Sequence, residues 1–146
     1  MSVKIDFTTL NTLPKCVISA HSTASTSIDV DATIPLKTLD GKLGSGISLN
    51  TDTGKFVVGT GISYILVFAS WTCAPEASGF RRVHIRKNGN RTEGYAFTTT
   101  DVATGYLNGS VAGILISVTE GDIIDLYNRD TKMTFWTGTR MSIIGF

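Results

Sequence analysis

The chain has 146 residues, of which 42% are hydrophobic, and this is enough for one domain with a buried core. Its net charge is +1, so no overall field attracts nucleic acid or an anionic membrane. The longest apolar run is about half of the ~20 residues that a membrane-spanning helix needs, so we expect no membrane insertion. Charged residues near Met1 replace the apolar segment of a signal peptide, which predicts synthesis in a cytoplasm without cleavage.

The first half of the chain is typical of an all-β protein. Val, Ile, Thr, Phe and Tyr predominate, and turns with glycine recur at short spacing, as in antiparallel β-sandwiches. We expect an extended N-terminal arm over residues 1–14 and a single domain over residues 15–146. Strands are predicted at Lys15–His21, Asp31–Lys37 (an edge strand) and Lys55–Val58, and turns at Leu39–Lys42 and Asp52–Lys55.

The segment Ile62–Trp71 is predicted to be a strand that is apolar on both faces. Alternation places Tyr64, Leu66 and Phe68 on one face, and Ile65 and its alternate neighbours on the other. One face can pack in the core of its own domain, whereas the other needs a second layer or a partner subunit. Leaving three large side chains in water would forgo about 1.5–3 kcal/mol each, so this strand predicts an oligomer.

The second half of the chain continues the β pattern. The dipeptide Asn88-Gly89 is a strong hairpin signal, because both central positions of a type I′ turn need positive φ. A loop is predicted at Cys73–Gly79, a polar connection within Thr98–Asn108 and a turn at Glu120–Asp122. The predicted strands are Arg81–Lys87, Arg91–Phe97, Gly109–Val118, Ile123–Asn128 and Met141–Phe146.

Three basic side chains, those of Arg82, His84 and Arg86, share one face of a predicted strand. They are candidates for binding an acidic partner, such as a sulfated or sialylated glycan or a negative capsid surface. The alternative is a solvated strand face that also blunts edge pairing. No Ser or Cys nucleophile stands at a recognisable spacing from His84, and turn chemistry explains Glu120 and Asp122 better than a hydrolase pair does. We therefore expect no enzyme, metal or cofactor.

Trp136 lies in the small, polar segment Thr134–Thr139, close to a predicted loop. An aromatic side chain in such surroundings either contributes to a sugar-binding surface or caps the core of the sandwich. Two cysteines, Cys16 and Cys73, can meet across a sandwich or remain buried thiols, and the absence of a secretion signal favours thiols.

The order of several motifs over about residues 45–146 resembles the tumour necrosis factor-like jelly roll. A turn of the form DTxTGxF, here Asn50–Phe56, precedes Gly61, which opens the long apolar strand. The hairpin Arg86–Gly89, the segment Gly109–Val111, the turn Glu120–Asp122 and an apolar last strand follow. The chain is most similar to the globular heads of the first complement component and to small structural proteins of tailed bacteriophages that use this module.

The resemblance implies a homotrimer, with Tyr64, Leu66 and Phe68 at the three-fold axis and Tyr127 as a neighbour. It implies binding and not catalysis. Without a collagen stalk or secretion signal, we expect a bacteriophage virion protein that attaches to a capsid or tail protein through residues 1–14. Such a protein serves as capsid decoration, head fibre or receptor-binding tail tip, and a host surface glycan is a further partner. The alternative is a free carbohydrate-binding lectin of similar architecture.

Overall fold

The computed structural model describes residues 13–76, 79–100 and 106–146, and thirteen β-strands make up their regular secondary structure. The predicted arm lies almost wholly outside these residues. The strands are β1 (Cys16–His21), β2 (Thr26–Ile28), β3 (Ala32–Thr33), β4 (Thr38–Gly44), β5 (Ile47–Asn50), β6 (Lys55–Val58), β7 (Tyr64–Pro75), β8 (Gly79–Lys87), β9 (Asn90–Thr100), β10 (Leu107–Ser117), β11 (Ile123–Asn128), β12 (Met133–Phe135) and β13 (Arg140–Gly145).

The strands form two antiparallel sheets that enclose one core. The first sheet has the order β2-β12-β7-β13-β1-β4, and β10 also pairs with β7. The second sheet has the order β5-β6-β11-β8-β9, and β3 also pairs with β11. Alternate side chains of both sheets meet between them, which gives the sandwich that the composition predicted. The largest fully buried side chains include Phe56, Phe135, Ile65, Ile85, Leu126 and Met141.

Strand β7 has the two faces that alternation predicted. Ile65, Val67 and the other odd-numbered residues are buried in the core, whereas Tyr64, Leu66 and Phe68 point away from it. The strand extends to Pro75, so the prediction that a loop begins at Cys73 is wrong. Its last three residues pair with β12, a short strand that the sequence did not indicate.

Both cysteines are buried thiols. Through the registers of β1, β13 and β7, Cys16 lies level with Ile65, which is eight residues before Cys73 along β7. Eight residues of strand span ~26 Å, far beyond the reach of a disulfide. Burial raises the pKa of the Cys73 thiol to about 11, although Arg81 opposes this shift. The thiol therefore stays protonated and acts as a small apolar side chain.

Two predictions in the first half of the chain are wrong. The segment Leu39–Lys42, predicted as a turn, lies within β4, because β1 offers it a free edge and a bulge at Ser19/Ala20 absorbs the irregularity. The strand predicted over Asp31–Lys37 is reduced to the two residues of β3. The Ile34 backbone nitrogen still donates to the Leu126 carbonyl at 2.8 Å, after which the pairing ends, and the side chains of Ile34 and Leu36 are buried in the core.

Two predicted turns are confirmed by their backbone conformations. Asn88 and Gly89 have φ of 52° and 78°, as a type I′ hairpin between β8 and β9 requires. Gly54, between β5 and β6, has φ of +72°, and a Cβ atom there would lie 2.4 Å from the backbone nitrogen of Leu36. Only glycine fits this turn, because the positive φ and the close approach both exclude a side chain.

Candidate functional site

An apolar row crosses five neighbouring strands on the outer face of the first sheet. It consists of side chains in direct cross-strand register: Leu43 of β4, Val17 of β1, Ile144 of β13, Leu66 of β7 and Leu115 of β10. Leu43 and Leu115, at the two ends of the row, are 74% and 64% exposed. Large apolar patches on an isolated domain mark contact surfaces, because monomeric proteins rarely leave them in water.

Two further aromatic side chains of β7 flank the apolar row. Tyr64 is 51% exposed and lies two residues before Leu66, and Phe68 lies two residues after it. Opposite Phe68, β10 has a bulge between Val111 and Ile114. Within this bulge, Gly113 has φ of +136°, and a Cβ atom on it would lie 3.2 Å from the Phe68 ring. The glycine therefore leaves room for this ring beside the row.

On β1 and β13 the outer face becomes polar at the level of Phe68. Ser19 and Ser142 are cross-strand neighbours whose hydroxyl oxygens lie 2.9 Å apart, and the Ser19 hydroxyl also donates to Asp40 at 3.2 Å. The Asp40 carboxylate lies 2.5 Å from Nδ1 of His21. The apolar surface is thus confined to one end of the sheet, and a network of hydrogen bonds occupies the middle.

Tyr127 lies on the outer face of the second sheet and is only 2% exposed. The Arg86 guanidinium lies 4.1 Å from the centre of its ring, and the His84 ring is 5.6 Å away. The structure therefore does not bring Tyr127 to Tyr64, Leu66 and Phe68 within one protomer. The sequence did not indicate on which sheet Tyr127 lies, because the residues of β11 do not alternate: almost every side chain of that strand is buried.

The basic face of β8 has partners within the protein. Arg82 donates to Asp130 from Nε at 2.6 Å and from Nη2 at 2.7 Å. Arg86 donates in the same bidentate way to Asp125, at 3.0 and 2.5 Å. The two arginines are thus compensated cations, and the interpretation as a face that blunts edge pairing is wrong, because β8 is an inner strand of its sheet. Binding of an acidic partner by this face stays a prediction.

Hydrogen bonds and neighbouring charges shift the pKa values of several of these groups. The hydrogen bonds that Arg86 donates to the Asp125 carboxylate outweigh burial and raise the pKa of Arg86. Burial raises the pKa of Asp130, but the hydrogen bonds and charge of Arg82 outweigh it and hold that pKa below its usual value. Asp122 also has a lowered pKa, because its carboxylate accepts from the backbone nitrogen of Thr119 and from Asn88. The Asp122 carboxylate thus stabilises the turn through hydrogen bonds, as turn chemistry predicted.

The lowered pKa of His84 predicts how the stability of the fold depends on pH. Burial, together with Arg129, Arg91 and Arg82, lowers the pKa of His84 from 6.5 to about 4. Between these values the unfolded chain binds a proton that the folded protein does not, so the free energy of unfolding falls as the pH drops from 6.5 to 4. The loss is about 1.4 kcal/mol for each unit of pKa difference.

Urea unfolding of the native protein and of His84→Gln at several pH values measures this effect. We expect a shallower pH dependence for the variant between pH 6.5 and 4, since the other titrating groups are common to both proteins. Equal slopes in that interval would show that His84 does not stay neutral in the fold.

Trp136 is half-buried and packs edge to face against Tyr106, with ring centres 5.3 Å apart and an interplanar angle of 68°. Its backbone nitrogen donates to the Thr72 carbonyl at 2.9 Å, which holds the residue beside β7. The indole nitrogen is buried and has no hydrogen-bond partner among the described residues. Trp136 thus lies at the far end of the outer face from the apolar row, a position that sequence spacing alone did not indicate.

Two classes of site are missing from the part of the chain that the structure describes. No group of three or more His, Cys, Asp or Glu side chains there is arranged to hold a metal ion. The same residues contain no helix that is long and apolar enough to cross a membrane.

The fold is shared with several solved structures, although no family model and no curated protein matches the sequence. Murine APRIL superimposes with a TM-score of 0.69 at 13% identity, covering 90% of this chain and 98% of that chain. The globular domain of zebrafish complement 1qA gives 0.62 at 10% identity, with coverages of 92% and 96%. The PRD1 vertex protein P5 gives 0.59 at 10% identity, with coverages of 92% and 99%. These similarities confirm the tumour necrosis factor-like jelly roll that the sequence motifs implied.

Proposed function

We propose that the protein is a non-enzymatic structural protein of a bacteriophage virion and that it acts as a homotrimer. The observation that carries this proposal is the apolar row, in which Leu43 and Leu115 are exposed and the three side chains between them are only half-buried in the single chain. Similarity in fold to a phage vertex protein supports the placement on a virion.

Self-association is the simplest way to cover the apolar row. Every copy of the chain presents the same row, and a closed ring of three copies covers each row with a neighbour and leaves none exposed. Tyr64, Leu66 and Phe68 lie on the covered face in this arrangement. Tyr127 is a poor candidate for the same interface, because Arg86 and its neighbours already bury it on the other sheet.

Attachment to the particle is assigned to residues 1–14. The described chain enters the domain at the end of the sheet where the apolar row lies, since the Lys15 backbone nitrogen donates to the Gly145 carbonyl at 2.8 Å. A capsid or tail protein bound by this arm would hold that end of the domain toward the particle. Capsid decoration, a head fibre and a receptor-binding tail tip are all compatible with such an attachment.

A free carbohydrate-binding lectin is the second candidate function, and the Trp136–Tyr106 pair favours it. The two functions differ in the exposure of the apolar row. A lectin that acts as a single chain leaves the row in water, whereas a trimeric virion protein covers it.

The native mass in solution tests the proposal. Light scattering on a sizing column is expected to give three times the chain mass of 15.6 kDa. A mass of one chain, unchanged on raising the protein concentration, would overturn the trimer and leave the lectin as the better description.

A further inference from the structure

A groove of about 420 Å³ opens on the outer face of the first sheet, at the end opposite the apolar row. Its walls include Ser70 and Thr72 of β7, Asn108 and Ser110 of β10, and Thr137 of the segment before β13. Ser70 and Thr72 lie four and six residues beyond Leu66, which is ~13–20 Å along the strand. The volume falls within the ~300–1,000 Å³ of small-molecule sites.

Uncharged hydrogen-bonding groups line this groove. The Thr72 hydroxyl donates to the Asn108 side-chain oxygen at 2.7 Å, so the Asn108 carboxamide nitrogen keeps its hydrogens for another acceptor. Ser70 and Ser110 face each other across β7 and β10. Among the described residues, neither hydroxyl has a side-chain partner. The lining therefore offers donors and acceptors to a polar ligand, and the exposed Arg140, the cross-strand neighbour of Ser70 on β13, stands beside it.

An aromatic pair borders the same groove. Trp136 immediately precedes Thr137 of the wall, and Tyr106 lies two residues before Asn108. Tyr106 is 69% exposed, and the two rings are held edge to face. Rigid Tyr and Trp rings give a ligand a large contact area at low entropic cost, and a pyranose ring presents an apolar C–H face that packs on them.

The floor of the groove is also adapted to a close approach. Gly109 lies over the buried Trp71, and a Cβ atom at position 109 would come within 2.5 Å of the indole nitrogen. Because glycine has no side chain, the Trp71 ring packs directly against the backbone of β10 from the core side, beneath the groove.

We infer that this groove binds a neutral oligosaccharide, with one sugar ring on the Trp136–Tyr106 pair and its hydroxyl groups bonded to Asn108, Ser70 and Ser110. The inference rests on the proposed function and deepens it, since a particle protein held at the apolar end would present this groove outward to a surface glycan. The uncharged lining favours neutral over sulfated or sialylated sugars, and because Arg140 stands beside Ser70, anionic sugars serve as the comparison that tests this class.

Calorimetric titration of the intact protein with maltohexaose, cellohexaose and N-acetylchitohexaose tests the inference. We expect saturable binding of at least one of these sugars. Asn108→Ala and Trp136→Ala should each weaken it by about tenfold or more, and Trp136→Phe should recover part of the loss. Asn90→Ala is the matched control, because Asn90 is exposed on the distant β8–β9 hairpin, and its affinity should equal that of the native protein.

Sugar binding and the native mass, measured on the same preparation, distinguish failure of the groove from failure of the trimer. A trimer that binds none of the three sugars, or binds them equally well after both substitutions, overturns the groove and leaves the virion proposal intact. A single chain that binds sugar through Asn108 and Trp136 supports the groove and overturns the trimer. Binding confined to sialylated or sulfated hexasaccharides used as comparison ligands would overturn the neutral class.

Discussion

Replacement of Leu66 by aspartate is expected to convert the trimer into single chains at micromolar concentration. Leu66 is the fourth of the five side chains in the apolar row and is flanked by Tyr64 and Phe68 on the same face. In a trimer the new carboxylate would be buried without a partner at each of three equivalent contacts. Burying an unpaired ion costs several kcal/mol, and each 1.4 kcal/mol weakens association tenfold.

Light scattering and far-ultraviolet circular dichroism together measure this result. The variant should retain a β spectrum, because the Leu66 side chain points away from the core of its own chain. Val30→Asp is the control, since Val30 is 48% exposed in the connection between β2 and β3, away from the row, and its trimer should persist. A Leu66→Asp protein that remains a full-size oligomer would show that another surface holds the copies together.

Replacement of Asp125 by alanine is expected to reduce the free energy of unfolding by about 3–5 kcal/mol. The Asp125 side chain is 3% exposed and accepts two hydrogen bonds from Arg86, whose side chain is 14% exposed. The Thr33 hydroxyl donates to the same carboxylate at 2.6 Å. Removal of the carboxylate leaves a largely buried guanidinium whose remaining described contacts are the Thr33 hydroxyl and the Tyr127 ring, with the charge of Asp31 farther away.

Urea unfolding of three proteins separates this effect from simple loss of contact. Asp29→Ala removes a carboxylate that is 79% exposed and lies 3.4 Å from Lys132, so its cost should stay within about 1 kcal/mol. Asp125→Ala combined with Arg86→Leu removes both buried charges and should recover much of the lost stability. Equal losses for the single and double variants would mean that packing around Asp125, and not its charge, stabilises the second sheet.

The parts of this fold that depend on local sequence, such as a strand or a tight turn, were predictable from the sequence. The faces of β7, the hairpin at Asn88-Gly89 and the strand Ile123–Asn128 all depend on residues close to one another along the chain. The segment Leu39–Lys42 contains turn-forming residues and nevertheless lies in a strand, because pairing with β1 outweighs its local preference.

The site was less predictable, since it depends on register between distant strands. Leu66 stood out in the sequence as one apolar residue among many, whereas the apolar row exists only because β4, β1, β13, β7 and β10 align their side chains. The partners of Arg82 and Arg86 were missed for the same reason, because Asp130 and Asp125 come from residues about 40–50 positions later. Without those partners in view, the arginines resembled a surface for an acidic ligand.

The placement of β13 has a consequence for biosynthesis. This strand, the last of the described domain, inserts between β1 and β7, so that Ser142 pairs with Ser19 on one side and with Phe68 on the other. On the ribosome, the first sheet therefore has an open slot at its centre until Arg140–Gly145 emerges. Closing a loop of nearly the whole chain is slow, and unpaired strand edges invite aggregation meanwhile. The first sheet is thus completed only after nearly the whole domain has been synthesised, and the outer face that carries the apolar row forms only at that stage.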